Sequence, residues 1–226
     1  LRNIRLLEAT RTDLQATSAL YQASHKIADA DSVSAILEAL ADTLKQTPFI
    51  SALFEVGVDR LYGITVFDQY GEKVYLPEKR IDVNTKSLEA NFSEPVTLLS
   101  FDDEKRKQVP DAVIRLLQRM NCQAFSIYPI KPNGILKAFL VLGTESAERL
   151  NPTNLQPYNS LTEITRTAIE KIEALETIQQ RLTELRSLNA VSQSIATETD
   201  INSLYEEIDR HIKQVKGEES FMIALK

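Results

Sequence analysis

The chain has 226 residues, a formal net charge of −6, 43% apolar residues and one cysteine. That length holds one full domain with extensions, or two small ones. The acidic balance offers nucleic acid no basic face, a lone cysteine excludes an internal disulfide and fits a reducing cytosol, and no run of about 18 apolar residues is present to span a membrane.

Residues 1–19 read as a linker helix. LRNIRLLEATRTDLQ mixes Arg and Glu into its apolar residues and lacks the layout of a signal peptide. LYQASHKIADADSVSAILEALADTLKQ (20–46) is helical and amphipathic. Its Val33, Ile36, Leu37, Leu40 and Leu44 share one face, and Ser32 is placed to cap the first turn. SALFEVGVD and RLYGITVFD (51–59 and 60–68) are rich in β-branched and aromatic residues and predict two strands, with a turn at Tyr70-Gly71 and strand character resuming at 73–75. Residues 77–94 are polar and irregular, an expected excursion over the surface. PVTLLSF (95–101) predicts a further strand. VPDAVIRLLQRMN predicts a helix opening at Pro110, with Val113, Leu116, Leu117 and Met120 on one side. AFSIYPI and ILKAFLVLG then flank Lys131-Pro132-Asn133-Gly134, the clearest hairpin in the chain. Proline starts its turn and glycine finishes it at positive φ.

NPTN opens the last piece, with Asn151 as candidate cap, Pro152 as first helical residue and Pro157 expected to bend or restart the helix. Apolar residues recur at a spacing of three and four through Leu161, Ile164, Ala168, Leu175, Ile178, Leu182 and Leu185. The first turns are expected to pack on their own domain. Beyond them the seven-residue recurrence of Leu175 and Leu182, with Asn189 next in register, predicts a two-stranded coiled coil and a homodimer. The alternative is a helix folded back on its own chain.

The chain also repeats itself. Residues 188–214 echo 20–46: Leu20 falls on Leu188, Ser24 on Ser192, Ile27 on Ile195 and Ala28 on Ala196. The apolar frame is kept as well, since Ile36, Leu40 and Leu44 meet Leu204, Ile208 and Ile212. The expected organisation is an N-terminal linker helix (1–19), one complete domain (20–172), a coiled-coil linker (173–190) and the opening of a second copy (191–226) of a longer protein.

MNCQAFSIYPIKPNGILKAFLVLGTESAERLNPTNLQPYNSLTEITRTAIEKI (120–172) resembles the GAF family of sensory domains. Tyr128-Pro129-Ile130 matches the family's apolar-Pro-apolar strand end, and Ala138 stands where the family usually keeps glycine. PAS domains have a similar sheet and role, but the hairpin leading directly into a long helix and a repeat favours GAF. The resemblance implies an α+β fold, with about six antiparallel strands flanked by helices and long linker helices at both ends. It also implies a small-molecule cavity opposite the terminal helices, and a place upstream of an output domain such as a histidine kinase or a cyclic-dinucleotide enzyme.

The family's specialised chemistries find little support. A bilin would attach to a Cys followed by His, whereas Gln123 follows Cys122. Reduction of free methionine sulfoxide needs a second thiol to resolve the sulfenic acid. Asn84, Lys86, Phe101, Asp102 and Asp103 only faintly echo a cyclic-nucleotide pattern. His25 lacks the acidic, Arg and Pro residues of a phosphoacceptor motif, and two distant histidines give no metal spacing. Thr65, Phe101, Asp102, Arg119, Asn121 and Tyr128 are the candidate ligand-binding residues; Leu175, Ile178, Leu182, Leu185 and Asn189 are the candidate dimer interface. The chain therefore reads as a non-catalytic, cytoplasmic sensor module that binds a small molecule or partner, takes no metal or bilin and touches neither nucleic acid nor membrane. The rival reading is a ligand-free structural dimerisation module.

Overall fold

The computed structural model describes residues 22–75, 80–84, 88–90, 92, 94–101, 106–107, 109–197 and 210. The expected linker helix 1–19, Asp102 and, apart from Arg210, the part of the second copy beyond residue 197 lie outside them.

Two helices come first, α1 (22–28) and α2 (Val33–Leu44). Ser32 caps α2 as its chemistry suggests, its Oγ accepting from the Ala35 amide at 3.3 Å. Ile36, Leu37, Leu40, Ala41 and Leu44 form the buried stripe. Strands β1 (Ile50–Gly57) and β2 (Arg60–Phe67) are joined by Val58-Asp59, with Asp59 at φ 53°. Such a two-residue loop needs positive φ, which Asp tolerates better than most residues.

The stretch expected to be irregular contains a strand, β3 (Arg80–Asp82), whose Arg80, Ile81 and Asp82 pair with Tyr62, Leu61 and Arg60. Three residues are too few for periodicity to reveal. Strand β4 (Val96–Leu98) is shorter than 95–101 suggests, because pairing with β5 stops at Leu98 and Leu99 turns outward. Helix α3 (Asp111–Arg119) begins just after Pro110; Val113 and Leu117 are buried and Leu116 and Met120 pack against the same core, as the spacing suggests, with Ile114 buried beside them. The predicted hairpin is present: β5 (Ala124–Ile130) and β6 (Ala138–Thr144) pair antiparallel across a 3-10 turn, Pro132–Gly134, with Asn133 at φ 50° and Gly134 at φ 81°.

The six strands form one antiparallel sheet in the order β3-β2-β1-β6-β5-β4. All seven residues of β6 are buried, so the sheet is covered on both faces. Alternation divides them. Ala138, Leu140 and Leu142 join Leu53, Tyr128 and Ile130 in a core closed by α1, α2 and the helix that follows β6. Phe139 and Val141 join Phe54, Phe125 and Ile127 in a second core closed by α3 and the segment containing Leu88 and Phe92. The fold is α+β and GAF-like, with a six-stranded antiparallel sheet, flanking helices and a long C-terminal helix.

That helix, α4, runs from Pro152 to Thr197, 46 residues. Asn151 caps it, its Oδ1 accepting from the Asn154 amide at 3.0 Å. Pro157 neither ends nor restarts it. Proline removes one amide donor there, the one that would reach the Thr153 carbonyl, while buried Leu155, Tyr158 and Leu161 anchor the helix on either side. The chain divides into two compact units, Leu1–Ile172 and Glu173–Lys226. In the first, α4 buries Leu161, Thr165, Ala168, Ile169 and Ile172. In the second, its Leu175, Ile178, Leu182, Leu185 and Leu188 are between 42% and 64% exposed.

Phe139 stacks on Phe54 at 5.1 Å between ring centroids and meets Phe92 at 5.6 Å, wholly buried. Phe139→Ala is expected to destabilise the first unit by about 3–5 kcal/mol, read as a lowered denaturant midpoint with unchanged slope.

Candidate functional site

A cleft of about 520 Å³ opens on the side of the second core, between the β3 edge and the start of α3. Arg80, Ile81, Asp82 and Val83 form one wall; Pro110, Asp111, Ala112 and Arg115 form the other. The volume lies in the range that takes a small organic molecule. Each wall supplies one arginine and one aspartate, so the lining is formally neutral and carries both signs. The charges on the β3 wall are already engaged. Asp82 accepts an ion pair from Arg60 at 3.3 Å, and the Arg80 guanidinium lies 5.9 Å from the Tyr62 ring centroid. On the α3 wall, among the described residues, Asp111 and Arg115 form no ion pair. Arg115 is exposed and free to meet an anionic group. The unengaged charges of the cleft are thus those of the α3 wall, Asp111 and Arg115.

Of the six residues singled out from the sequence, five are described; none of these five lines this cleft, and the structure does not bring them together. Tyr128 is 1% exposed and belongs to the core under α2 and α4, the face opposite the cleft. Burial raises the pKa of its phenol, against a hydrogen bond with Ser126. Thr65 pairs with Leu53 and so shares that same face, 4% exposed, its Oγ1 without a hydrogen-bond partner among the described residues. Three strand spacings separate it from Tyr128, about 14 Å. Phe101 packs on the cleft-side core, its ring 5.6 Å from Phe125. Arg119 and Asn121 are exposed at the end of α3. Asn121 takes φ 57° just past the helix C-terminus and its Nδ2 donates to Glu145 at 3.4 Å, so it serves the turn. Asp102 lies outside the described residues. The cleft itself had no local signal, because Arg80 and Arg115 are brought together only by tertiary structure.

A second, smaller cavity of about 200 Å³ is lined by Ile50, Asp68, Gln69, Tyr70, Val74, Met120 and Glu145. Cys122 lies buried near it, its Sγ only 2.5 Å from where a Cβ on Gly143 would sit. Burial, aided by the charge of Glu145, pushes the Cys122 thiol from 9.0 up to about 12. A thiol so placed is a poor nucleophile at neutral pH. No group of three or more His, Cys, Asp or Glu side chains that could hold a metal occurs among the described residues, and none of the described helices is long and apolar enough to cross a membrane.

No protein-family model and no curated protein matches this sequence. Among solved structures, the chain is similar to the bacteriophytochrome RpBphP3 of the photosynthetic bacterium R. palustris, with a TM-score of 0.61 at 10% identity over 88% of this chain and 46% of that one. It is similar also to the phytochrome photosensory core module of Stigmatella aurantiaca, with a TM-score of 0.59 at 15% identity over 89% of this chain and 45% of that one. The chain therefore spans under half the length of either phytochrome structure. A third likeness is to the free methionine-R-sulfoxide reductase of Neisseria meningitidis, with a TM-score of 0.52 at 15% identity over 71% of this chain and 91% of that one. At these identities the likeness is one of fold.

Cys122 gives a direct test of that environment. At pH 8 a thiol of pKa about 12 is only about 0.01% ionised, so Ellman's reagent is expected to label the native protein very slowly and the denatured protein at once. The raised pKa also has a sign for stability: its contribution is whole below about 9.0, the unfolded value, and is lost as pH rises through about 12. A denaturant midpoint that falls on going from pH 8 to pH 10 checks this.

Proposed function

We propose that the chain is a GAF-type sensor module that works as a homodimer. In this reading residues 20–172 form the sensory domain, 173–190 a coiled-coil linker, and 191 onward the start of a second copy, within a cytoplasmic signalling protein whose output is of the histidine-kinase kind. A small molecule held in the cleft between β3 and α3 favours one state of the domain. The change passes along α4 to the next domain as altered splay or register of two paired helices. The observation that carries the reading is α4 itself: a helix that walls the core up to Ile172 and then continues to Thr197 with five exposed apolar residues.

Those residues need a partner. Burying one leucine or isoleucine contributes about 1.5–3 kcal/mol, and Leu175, Ile178, Leu182 and Leu185 fall at alternating spacings of three and four, as a two-stranded seam requires. Asn189 stands next in register, where a polar residue fixes alignment at some cost in stability. The likeness to phytochrome photosensory cores supports a sensory role at the coarse level. Thiol-based catalysis is disfavoured by a single thiol held in its protonated form, and a bilin by Gln123 after Cys122.

One observation favours a second reading, the ligand-free structural dimerisation module. Phe54, Phe92, Phe125 and Phe139 are wholly buried on the cleft side of the sheet, which leaves the cleft at the edge of a filled core. Both readings require the dimer. Leu182→Asp would desolvate two carboxylates in the seam, a cost of at least about 3 kcal/mol, or about 100-fold in dimer affinity. Sedimentation is expected to show a monomer with unchanged far-ultraviolet circular dichroism. A variant that sediments as the wild type does would refute the seam.

A further inference from the structure

The sheet separates two cores, and the β5–β6 hairpin tip touches the elements that close both. On the cleft side, a helical turn at 88–90 is held by amides that bond back four residues, Leu88 to the Asn84 carbonyl at 3.2 Å and Phe92 to the Leu88 carbonyl at 2.9 Å. It drops Leu88 and Phe92 into the second core. Lys131, half-buried at the end of β5, donates from Nζ to the Glu89 carbonyl of this turn at 3.0 Å. On the other side, the Asn133 amide donates to Glu170 Oε1 of α4 at 3.1 Å. The same Glu170 oxygen accepts from Arg166 Nη1 at 2.6 Å. The Asn133 hydrogen bond is the main cause that lowers the Glu170 pKa from 4.5, so the carboxylate is ionised at neutral pH and its bonds are charge-assisted.

Between these two anchors the chain is short and stiff. Pro132 is buried, and Asn133 and Gly134 both sit at positive φ. The turn is closed by Ile135 donating to the Pro132 carbonyl at 3.0 Å and Lys137 to Ile130 at 3.0 Å. Only Pro132 lies between Lys131 and Asn133 in the backbone, so the slack in the connection to the 88–90 turn is that of the half-buried Lys131 side chain, held by its bond to Glu89. Glu170 is two residues before Ile172, where the first compact unit ends.

We propose that Lys131 to Asn133 form a rigid link that ties the segment over the cleft-side core to α4 on the opposite face, making Lys131 and Glu170 the coupling residues of this domain. A change in how Leu88 and Phe92 sit on the sheet pulls on Glu170, near the end of the first unit. The link adds to the sensor reading but does not rest on it, because it exists in the chain without ligand or partner.

The test is hydrogen exchange on the whole chain, read separately over 88–92 and over 166–172, for Lys131→Met, Glu170→Ala and the pair together. Each single substitution is expected to speed exchange several-fold in both segments. The double variant is expected to go no further than the larger single effect, as for two ends of one link. Lys131→Arg, which keeps a donor, should exchange as the wild type does. The proposal is overturned if each substitution acts only on its own segment and the effects multiply in the double variant. Glu170→Ala, at the surface of a helix, decides alone if Lys131→Met fails to fold: faster exchange at 88–92 supports the link, and unchanged rates there refute it. Because no ligand enters the measurement, a failed link leaves the sensor reading standing, and a monomeric chain leaves the link testable.

Discussion

Strand β6 is buried along its whole length, and the architecture follows from that constraint. A strand with no solvent face demands cover on both sides of the sheet, and here the two covers differ in kind. One is regular, with α1, α2 and the opening turns of α4 laying leucine, isoleucine and alanine over Leu140 and Leu142. The other is assembled from α3 and the segment that contributes Leu88 and Phe92, over Phe139 and Val141. The cleft between β3 and α3 lies on that second side, and α4 leaves from the first.

This asymmetry gives a sensory reading its physical content. Whatever alters the side of the second core must act around or through the sheet to reach α4. Packed cores transmit displacement because they have little free volume, and the hairpin tip adds a polar route around the sheet end. Beyond Ile172 the same helix leaves Leu175, Ile178, Leu182 and Leu185 exposed. One helix is thus a wall of the first core up to Ile172 and an exposed apolar stripe beyond it, the stripe that the proposed dimer would cover.

Most of the fold was legible because its signals are local. Ser32 and Asn151 cap the helices they precede, Pro132 and Gly134 make the turn they suggest, and the stripe from Leu161 to Ala168 packs as its spacing predicts. Strand β3 was hidden because Arg80, Ile81 and Asp82 owe their strand to pairing with β2, and three residues carry no period. The site residues were less legible, for a different reason. AFSIYPI is apolar at nearly every position, since both faces of β5 are buried, so its sequence does not tell which face Tyr128 joins. A strand with one wet face would have shown it by alternation. Arg80 and Arg115 are 35 residues apart in sequence (115 minus 80), and polar residues at such a distance carry no mark of meeting. Asn121 is polar beside a strand, which reads equally as a ligand contact or as a turn residue; the structure shows it at positive φ in the turn after α3.

The measurement that bears most directly on the central claim is native mass spectrometry of gently purified protein, which reads oligomer mass and retained small molecules together. The account predicts a species of about twice 25.5 kDa, with additional mass that is lost on denaturation when the cleft is occupied. A bare dimer would favour the ligand-free module. A monomer at micromolar concentration would contradict the account, because the exposed stripe of α4 would then have no partner helix to transmit anything to.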